Sequence, residues 1–181
     1  MTTRRSFLKI GAAGALLLAA GGAAYRLTHP PAAPQAFVLD GEAGAVLAAE
    51  ALGSPARIVT VEPHGFDDMA RSIASGAREN NLRRAGSICD ALLVERPGAI
   101  TFPIIQRRAE AAVVDDEQVQ QAMGFAFRHL KLVVEPGGAV GLAALLSAMS
   151  RWRGRNIGVV LSGGNVDGGL FADTLGRPAA G

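Results

Sequence analysis

Cysteine and lysine are both scarce in this sequence, and each scarcity limits the chemistry open to the chain. Cys89 is the only cysteine among 181 residues. A lone cysteine excludes an internal disulfide framework and a zinc site built on cysteines. Lysine occurs only at Lys9 and Lys131, so arginine supplies nearly all of the positive charge. Any reaction that needs a lysine side chain from this chain depends on one of these two residues.

Aromatic content and net charge are also low. Aromatic residues make up 5% of the chain, and the formal net charge is +2, with arginine and acidic residues interspersed along the body. Nucleic-acid-binding domains usually carry a basic patch or stripe. The sequence shows no such stripe, and we predict no nucleic-acid partner. Hydrophobic residues make up 49% and charged residues 19%, which favours one globular domain with an appendage.

The first 25 residues have the pattern of an export signal. Residues 3–9 read TRRSFLK, residues 10–24 carry no charge, and small residues at 22–24 offer a cleavage site. This order resembles a bacterial twin-arginine signal. As a helix, the apolar run would span about 22 Å, less than the ~30 Å hydrocarbon core of a bilayer. We predict a removable signal, with an uncleaved membrane anchor through residues 10–24 as the alternative.

A linker and a short helix are predicted between this segment and the body of the chain. Residues 28–36 are rich in proline, which predicts an extended linker. Residues 40–53 are rich in alanine and predict a short helix, with Asp40 as its cap and Gly53 as its stop. The predicted boundaries are therefore 1–27 for the signal-like segment, 28–53 for the linker and helix, and 54–181 for a partial enzyme-like domain.

From residue 54 onward, apolar strands alternate with helices. Continuous apolar runs predict buried strands at residues 56–62, 109–116, 131–136 and 156–164. Amphipathic or alanine-rich stretches predict helices at residues 66–76, 116–130 and 137–152. This alternation predicts an α/β fold in which helices flank a partial parallel sheet. Ligands of such sheets bind beyond the carboxyl ends of the strands, where residues 134–138 and 161–165 fall.

Two of these strand ends carry glycine-containing segments. Ser162 begins the sequence SGGN, which combines a hydroxyl group with bare backbone amides that a ligand can approach closely. Such sequences are also common in tight turns that bind nothing. Glu135 precedes two glycines at a predicted helix start, where an anion can bind. Its own negative charge argues against a phosphate there, and this segment taken alone is better explained by packing glycines beside a solvated carboxylate.

Three carboxylates follow the first predicted strand, at Glu62, Asp67 and Asp68. Carboxylates that converge with a main-chain carbonyl suit hard cations such as Mg²⁺, Mn²⁺ or Ca²⁺. The alternative is that Asp67 or Asp68 only caps the following helix.

The remaining candidate side chains give no pattern of a catalytic or metal site. The three histidines, His29, His64 and His129, are scattered without metal-binding spacing. Cys89 lies among apolar residues, which predicts an inert core thiol.

Six ordered segments resemble the C-terminal part of the threonine dehydratase and serine racemase family. They read ARIVTVEPHGFDDMARSIASGAR, AGSICDALL, PGAITFPI, VDDEQVQQAM, LKLVVEPGGAVGLAALL and GVVLSGGNVD. The resemblance runs from about residue 52 to residue 167 and looks nearest to the threonine or hydroxyaspartate dehydratase branch. It implies a fold-type II pyridoxal-phosphate enzyme of the tryptophan synthase β-like superfamily.

The resemblance also implies roles for individual residues. Ser162 matches the family serine that faces the pyridine nitrogen of the cofactor, Gly163 follows it, and Glu135 matches a glutamate at the rim of the same pocket. A neutral hydroxyl does not hold a proton on the ring as a carboxylate would, which suits elimination of water from hydroxy amino acids. Glu62, the main-chain carbonyl of Phe66 and Asp68 match a divalent-cation site, with Mg²⁺ or Mn²⁺ as the implied ions.

Two features that the resemblance implies are missing from the sequence. The family's Schiff-base lysine lies in its N-terminal portion, and its glycine-rich phosphate loop comes just before the region of similarity. Lys9 belongs to the predicted signal, Lys131 is predicted to begin a strand, and no such glycine loop occurs upstream. Because the lysine both binds the cofactor and moves the proton, we expect no turnover by this chain alone.

The expected function is the C-terminal portion of a pyridoxal-phosphate-dependent threonine or hydroxy-amino-acid dehydratase, an ammonia-lyase acting on a small amino acid. The alternative is an exported or membrane-tethered protein without catalysis that uses an enzyme fragment as a binding or structural module. The signal predicts the periplasm or inner membrane, whereas the family predicts the cytoplasm. A partial domain exposes apolar sheet edges, which predicts self-association or a separate N-terminal half as partner.

Overall fold

Four parallel strands form one sheet in the computed structural model, which describes residues 36–39 and 43–177. The strand order is β3-β2-β1-β4, and each neighbouring pair is parallel. The carboxyl ends of all four strands therefore lie along one edge of the sheet, and the amino ends lie along the opposite edge. The strands are β1 (Ala36–Leu39), β2 (Arg57–Pro63), β3 (Ala109–Val114) and β4 (Ile157–Val159).

Helices connect the strands and cover both faces of the sheet, which confirms the predicted α/β class. A π-helical turn at Ala126–Leu130 extends α4, and two 3₁₀ turns lie at Asp90–Leu92 and Met149–Trp152. The helices are α1 (Ala43–Ala51), α2 (Asp68–Ser75), α3 (Thr101–Ile105), α4 (Asp116–Phe125), α5 (Pro136–Ser147) and α6 (Gly168–Gly176).

The alternation of side chains along β2 divides the core into two clusters. Val59 and Val61 contribute to one cluster, which also contains the buried faces of α4 and α5. Ile58 contributes to the other, with residues of α1, α2 and α3. Successive residues of a strand point to opposite faces, so an apolar strand buried on both sides requires helices on both.

Local signals in the sequence explain where α4 begins. Asp115 accepts a hydrogen bond from the backbone N–H of Gln118, and the Gln118 side chain accepts one from the backbone N–H of Asp115, forming a capping box. Acidic residues fill the first turn, where they stabilise the positive end of the helix dipole. This cap fixes α4 directly at the carboxyl end of β3.

The prediction of a strand at residues 131–136 is wrong. Lys131 ends the π-helical turn in a left-handed conformation, with φ of 62°. The Leu132 N–H donates to the Ala126 carbonyl, and the Glu135 N–H donates to the Gly163 carbonyl, so neither group joins a strand of the described sheet. Leu132 and Val133 are 44% and 48% exposed. The apolar run indicated a buried strand, but its backbone hydrogen bonds go to a turn and a loop instead.

The predicted linker also needs correction at its end. Residues 36–39 form β1, which lies in the sheet between β2 and β4. Folded structure is therefore present before residue 54, the predicted start of the domain. The apolar run at residues 36–39 is too short for its periodicity to identify a strand. The short helix is observed at Ala43–Ala51, whereas its proposed cap Asp40, most of the linker and the signal-like segment 1–27 lie outside the described residues.

Among residues 36–39 and 43–177, no helix has the length and apolar character needed to cross a bilayer. The apolar residues 10–24 lie outside this part of the chain.

Candidate functional site

The loop that follows β4 packs against the start of α5 at the carboxyl edge of the sheet. An added Cβ on Gly138 would lie 2.6 Å from the carbonyl carbon of Ser162. The backbone of Ser162 therefore lies directly on the first turn of the helix, at a distance that only glycine permits. Gly163 has φ of 74°, a conformation that also favours glycine. The sequence SGGN thus forms a tight, helix-packed loop where the topology predicted a ligand site.

Glu135 holds this loop in place. Its carboxylate Oε2 accepts a hydrogen bond of 3.0 Å from the backbone N–H of Asn165. Its own backbone N–H donates to the Gly163 carbonyl at 3.3 Å. A Cβ on Gly163 would lie 2.6 Å from Glu135 Oε2, so the carboxylate also occupies the space beside that glycine. The structure brings Ser162, Gly163 and Glu135 together, as the sequence predicted.

Glu62 lies at the carboxyl end of β2 and caps α2. Its two carboxylate oxygens accept hydrogen bonds from the backbone N–H groups of Met69 and Ala70, at 2.9 and 2.8 Å. Asp67 occupies the N-cap position but makes no side-chain cap hydrogen bond. The prediction that an aspartate caps this helix is therefore wrong, because a glutamate from the preceding strand supplies the acceptor atoms.

Asp68 is buried beside Glu62 and is held by a residue that the sequence did not indicate. Asn81 donates its side-chain N–H to Asp68 Oδ1 at 2.5 Å and to the Val94 carbonyl at 2.9 Å. Asn81 lies in an irregular segment without periodicity, so no pattern in the sequence signals its contact with Asp68. Glu62 and Asp68 line a cavity of about 300 Å³, together with residues that include Arg96 and Thr101.

Burial makes both carboxyl groups of this cavity easier to protonate. Desolvation raises the pKa of Glu62 to about 7, against the opposing effect of the two backbone N–H donors. The neighbouring charges of Asp68 and Asp67 raise it further. Desolvation also raises the pKa of Asp68, while the hydrogen bond from Asn81 lowers it. Two adjacent buried carboxyl groups are the arrangement that a bound cation would stabilise in the ionised form.

The 3₁₀ turn Asp90–Leu92 connects the two groups of candidate residues. Ala91 and Leu92 line the cavity of Glu62 and Asp68. The same two side chains lie 3.4–3.5 Å from the position of a Cβ on Gly137, in the first turn of α5. The loop at residues 162–165 (the Ser162 loop) and the cavity lined by Glu62 and Asp68 (the Glu62 cavity) therefore belong to one continuous region along the carboxyl edge.

This region is the part of the chain that known proteins share. The model of a family described as "Pyridoxal-phosphate dependent enzyme" matches residues 32–163, which include β1 to β4 and both groups of candidate residues. The chain belongs to this family of pyridoxal-phosphate-dependent enzymes. The prediction of pyridoxal phosphate as the family's cofactor is thereby confirmed, as is the resemblance to serine racemase and threonine dehydratase.

Curated relatives with known names match over about two fifths of their own length. Serine racemase from Oryza sativa subsp. indica is 39% identical over 138 residues, which cover 73% of this chain and 40% of the relative. L-threo-3-hydroxyaspartate ammonia-lyase from Pseudomonas sp is 34% identical over 133 residues, covering 73% of this chain and 41% of the relative. Family members thus include racemases and ammonia-lyases that act on small amino acids.

Solved structures of family members share the fold. A threonine deaminase from T.th. superposes with a TM-score of 0.71 at 31% identity, over 81% of this chain and 53% of that chain. Maize serine racemase superposes with a TM-score of 0.70 at 34% identity, over 86% of this chain and 52% of that chain. The chain therefore spans about half of these structures.

The Ser162 loop lies at the edge where parallel sheets bind ligands, which is where the ring end of the family's cofactor would be held. The space beside Gly138 and Gly163 is occupied by the Ser162 backbone and the Glu135 carboxylate, so packing within the protein requires both glycines. In the described segments that directly follow β2, β3 and β4, no cationic side chain is available for the cofactor's phosphate. Residues 62–68, 114–118 and 160–168 contain seven acidic residues and neither lysine nor arginine.

Lys131 is not placed to form the covalent bond to the cofactor. β3 ends at the carboxyl edge, and α4 with its π-helical turn runs back across the sheet, so Lys131 lies toward the amino edge. Its side chain is exposed, and Nζ donates to the Arg128 carbonyl at 2.9 Å. The prediction that Lys131 begins a strand is wrong, and its structural role stays a prediction.

The other titratable candidates make no site in the described part of the chain. Cys89 is buried, and desolvation raises the pKa of its thiol to about 12, which agrees with an inert core residue. His129 stacks on Phe125 with ring centroids 4.5 Å apart. No group of three or more histidine, cysteine, aspartate or glutamate side chains is arranged for a metal ion within residues 36–39 and 43–177. The predicted cation site needs only two side chains and a carbonyl, and its metal remains a prediction.

Proposed function

We propose that this chain forms the pyridine-ring side of the active site of a pyridoxal-phosphate-dependent ammonia-lyase. The observation that carries the proposal is the loop from Ser162 to Asn165, which Glu135 and Gly138 fix at the carboxyl edge of the sheet. Ser162, Gly163 and Glu135 would hold the ring end of the cofactor. The bound cofactor would supply an electron sink for the loss of an α-proton from an amino acid.

The chain's own residues would position the cofactor's ring rather than react with substrate. Ser162 would offer a neutral hydroxyl at the ring nitrogen, and Glu135 would keep the loop closed by accepting the Asn165 N–H. A neutral partner limits how much negative charge the ring takes up, which favours elimination of a β-hydroxyl group. The substrate class is therefore a small hydroxy amino acid, with threonine and 3-hydroxyaspartate as first choices.

Catalysis on this proposal requires a lysine from a polypeptide segment other than the described residues. Lys131 lies toward the amino edge of the sheet and bonds to its own turn, so it cannot move a proton at the Ser162 loop. Lys9 lies outside the described residues. We infer that the chain without such a segment is inactive, and that a separate N-terminal half would be the partner that completes the site.

A binding titration tests the role of Ser162 without any covalent chemistry. Pyridoxine 5′-phosphate, which has the ring and phosphate but no aldehyde, is the appropriate ligand. We expect saturable binding by equilibrium dialysis, and Ser162→Ala should weaken it about fivefold, the value of one hydrogen bond of ~1 kcal/mol. Ser147→Ala is the matched control, because Ser147 lies at the other end of α5 and bonds to the Ala144 carbonyl. Equal affinities for both variants would refute the assignment.

We also propose that Glu62, Asp68 and the main-chain carbonyl of Phe66 bind Mg²⁺ or Mn²⁺. The support is that Glu62 and the buried Asp68 line one cavity, since oxygen ligands of this kind suit hard divalent cations. A cation there would lock the start of α2 to the end of β2. Its role would be structural, because Glu62 already joins these two elements through the Met69 and Ala70 N–H groups.

A non-catalytic, exported or membrane-tethered protein is the second candidate function. The position of Lys131 away from the Ser162 loop favours it, because nothing else in the described residues can bind the cofactor covalently. The sequence TRRSFLK followed by an uncharged run supports export to the periplasm or retention at the inner membrane. On this alternative, the Ser162 loop would bind a ligand or a partner without turnover.

A further inference from the structure

The fold gathers cations along the amino edge of the sheet, although they are dispersed in the sequence. The segments that lead into β2, β3 and β4, and the turn that ends α4, all lie at this edge. Within residues 50–57, 106–110, 126–131 and 148–157, acidic residues occur only at Glu50 and Glu110. The cations in these segments are Arg57, Arg107, Arg108, Arg128, Lys131, Arg151, Arg153 and Arg155.

Contacts between these segments show that several of the cations are close together. The Glu110 carboxylate pairs with Arg57, and its Oε2 also accepts from Arg151 at 2.7 Å, so one acid serves two arginines from different elements. Glu50 pairs with Arg107 at 3.2 Å. Both acids of these four segments are thus already paired, and the remaining positive charge is not neutralised by another acidic side chain of the same segments.

Arg153 and Arg155 are the most available of these cations. Both are exposed, and neither forms an ion pair with any residue of the described ranges. They flank Gly154, which has φ of 75° and turns the backbone. Trp152 is 4% exposed and packs in the core. This packing fixes the position of the loop that carries Arg153 and Arg155.

The N-terminal segment of the chain joins the sheet at the amino edge. β1 is parallel to the other strands, so its first residue Ala36 lies at the same edge as the cations. Residues 25–35 separate Ala36 from the uncharged apolar run at residues 10–24. An extended chain of this length reaches at most about 35–40 Å, so an apolar segment inserted in a bilayer would keep the cationic edge within that distance of the bilayer surface.

We propose that the amino edge of the sheet, including Arg153 and Arg155, binds the anionic phospholipid headgroups of a membrane that receives residues 10–24. Stable attachment to a bilayer usually needs two signals, such as one apolar segment together with a basic patch. Each Lys or Arg near an anionic surface adds to the attraction, and salt screens it. The cofactor loop lies at the opposite edge of the sheet and stays accessible in this orientation.

Flotation of the full chain with vesicles tests the proposal. Vesicles of phosphatidylcholine alone are compared with vesicles of phosphatidylcholine and phosphatidylglycerol. We expect preference for the anionic vesicles and weaker binding as NaCl is raised. Arg153→Gln with Arg155→Gln should lower the partition coefficient at least about tenfold, from the energy of two cations at the surface. If circular dichroism shows that the double variant Arg153→Gln with Arg155→Gln does not fold, the single variant Arg155→Glu is compared with the wild type in the same flotation experiment.

The matched control removes two exposed arginines elsewhere. Arg83 and Arg84 lie between Asn81 and Ser87 in the chain. Asn81 donates a hydrogen bond to Asp68, and Ser87 donates one to Asp116, both at the carboxyl edge. Arg83→Gln with Arg84→Gln should leave binding within about twofold of the wild-type value, because these charges face away from the surface. Equal loss in both variant pairs, or equal binding to neutral and anionic vesicles, overturns the proposal. Binding to duplex DNA in preference to the anionic vesicles also overturns it. The affinity for pyridoxine 5′-phosphate depends on the opposite edge of the sheet. Its measurement in the same variants therefore separates failure of the membrane proposal from failure of the proposed function.

Discussion

Replacement of Gly138 by alanine is expected to destabilise the protein by about 3 kcal/mol and to displace the Ser162 loop. The new Cβ would lie 2.6 Å from the carbonyl carbon of Ser162. This neighbour is backbone, so it cannot move aside as the end of a flexible side chain could. Overpacking of this kind typically costs about 1–3 kcal/mol and occasionally more. Urea denaturation gives the loss of stability, and pyridoxine phosphate binding reports on the loop.

Gly44→Ala is the control for a glycine substitution in a helix. Gly44 lies in α1, and no heavy atom lies within 4 Å of the position of its Cβ. Alanine there should stabilise the protein by about 0.5–1 kcal/mol, because it lowers the entropy of the unfolded chain. A Gly138→Ala protein as stable as the wild type would show that the Ser162 backbone does not pack on α5, and the described position of the Ser162 loop would be wrong.

A rise of pH from about 4.5 to 7 is expected to lower the free energy of unfolding through Glu62. Desolvation raises the pKa of Glu62 from 4.5 to about 7 in the folded protein. Across this window the unfolded chain releases the proton while the folded chain keeps it, so stability falls as pH rises. The expected contribution is on the order of 2–3 kcal/mol, measured by urea denaturation at several pH values. Asp68 adds a change of the same sign, because its pKa is also raised.

The variant Glu62→Gln should remove most of this pH dependence, whereas Asp67→Asn should retain it. Asp67 lies at the start of the same helix, but its side chain makes no cap hydrogen bond. At pH 8, millimolar Mn²⁺ should raise the melting temperature of the wild type and of Asp67→Asn, but not that of Glu62→Gln. Identical pH profiles for Glu62→Gln and the wild type would contradict the account of this carboxyl group, and equal shifts with Mn²⁺ would contradict the cation site.

The sequence predicted the parts of the fold that depend on hydrophobic patterns and short-range signals. The strands β2 and β3 and the helices α4 and α5 correspond to continuous or periodic apolar runs. These features need only local patterns, which a single sequence contains. The placement of Glu135 beside the Ser162 loop was implied by the family resemblance instead, because no strand of the described sheet leads directly into Glu135.

Features that depend on contacts between distant residues could not be predicted in the same way. The apolar run at residues 131–136 indicated a strand, yet its N–H groups bond to a turn and a loop. The helix cap from Glu62 and the contact of Asn81 with Asp68 join residues 7 to 13 positions apart. The cationic edge is similar, because its arginines are interspersed with acids in the sequence and are gathered only when the strands align. Each of these needs the tertiary structure to decide between two acceptable local interpretations.

On the proposed function, the described part of the chain holds the ring of pyridoxal phosphate without a lysine that can react with it. The decisive experiment is borohydride reduction of the full chain saturated with pyridoxal phosphate, followed by peptide mass mapping. We expect no stoichiometric adduct at Lys131, whose Nζ bonds to the Arg128 carbonyl toward the amino edge. A saturable absorption band with a single reduced adduct at Lys131 would refute the proposed arrangement and make this lysine the catalytic residue.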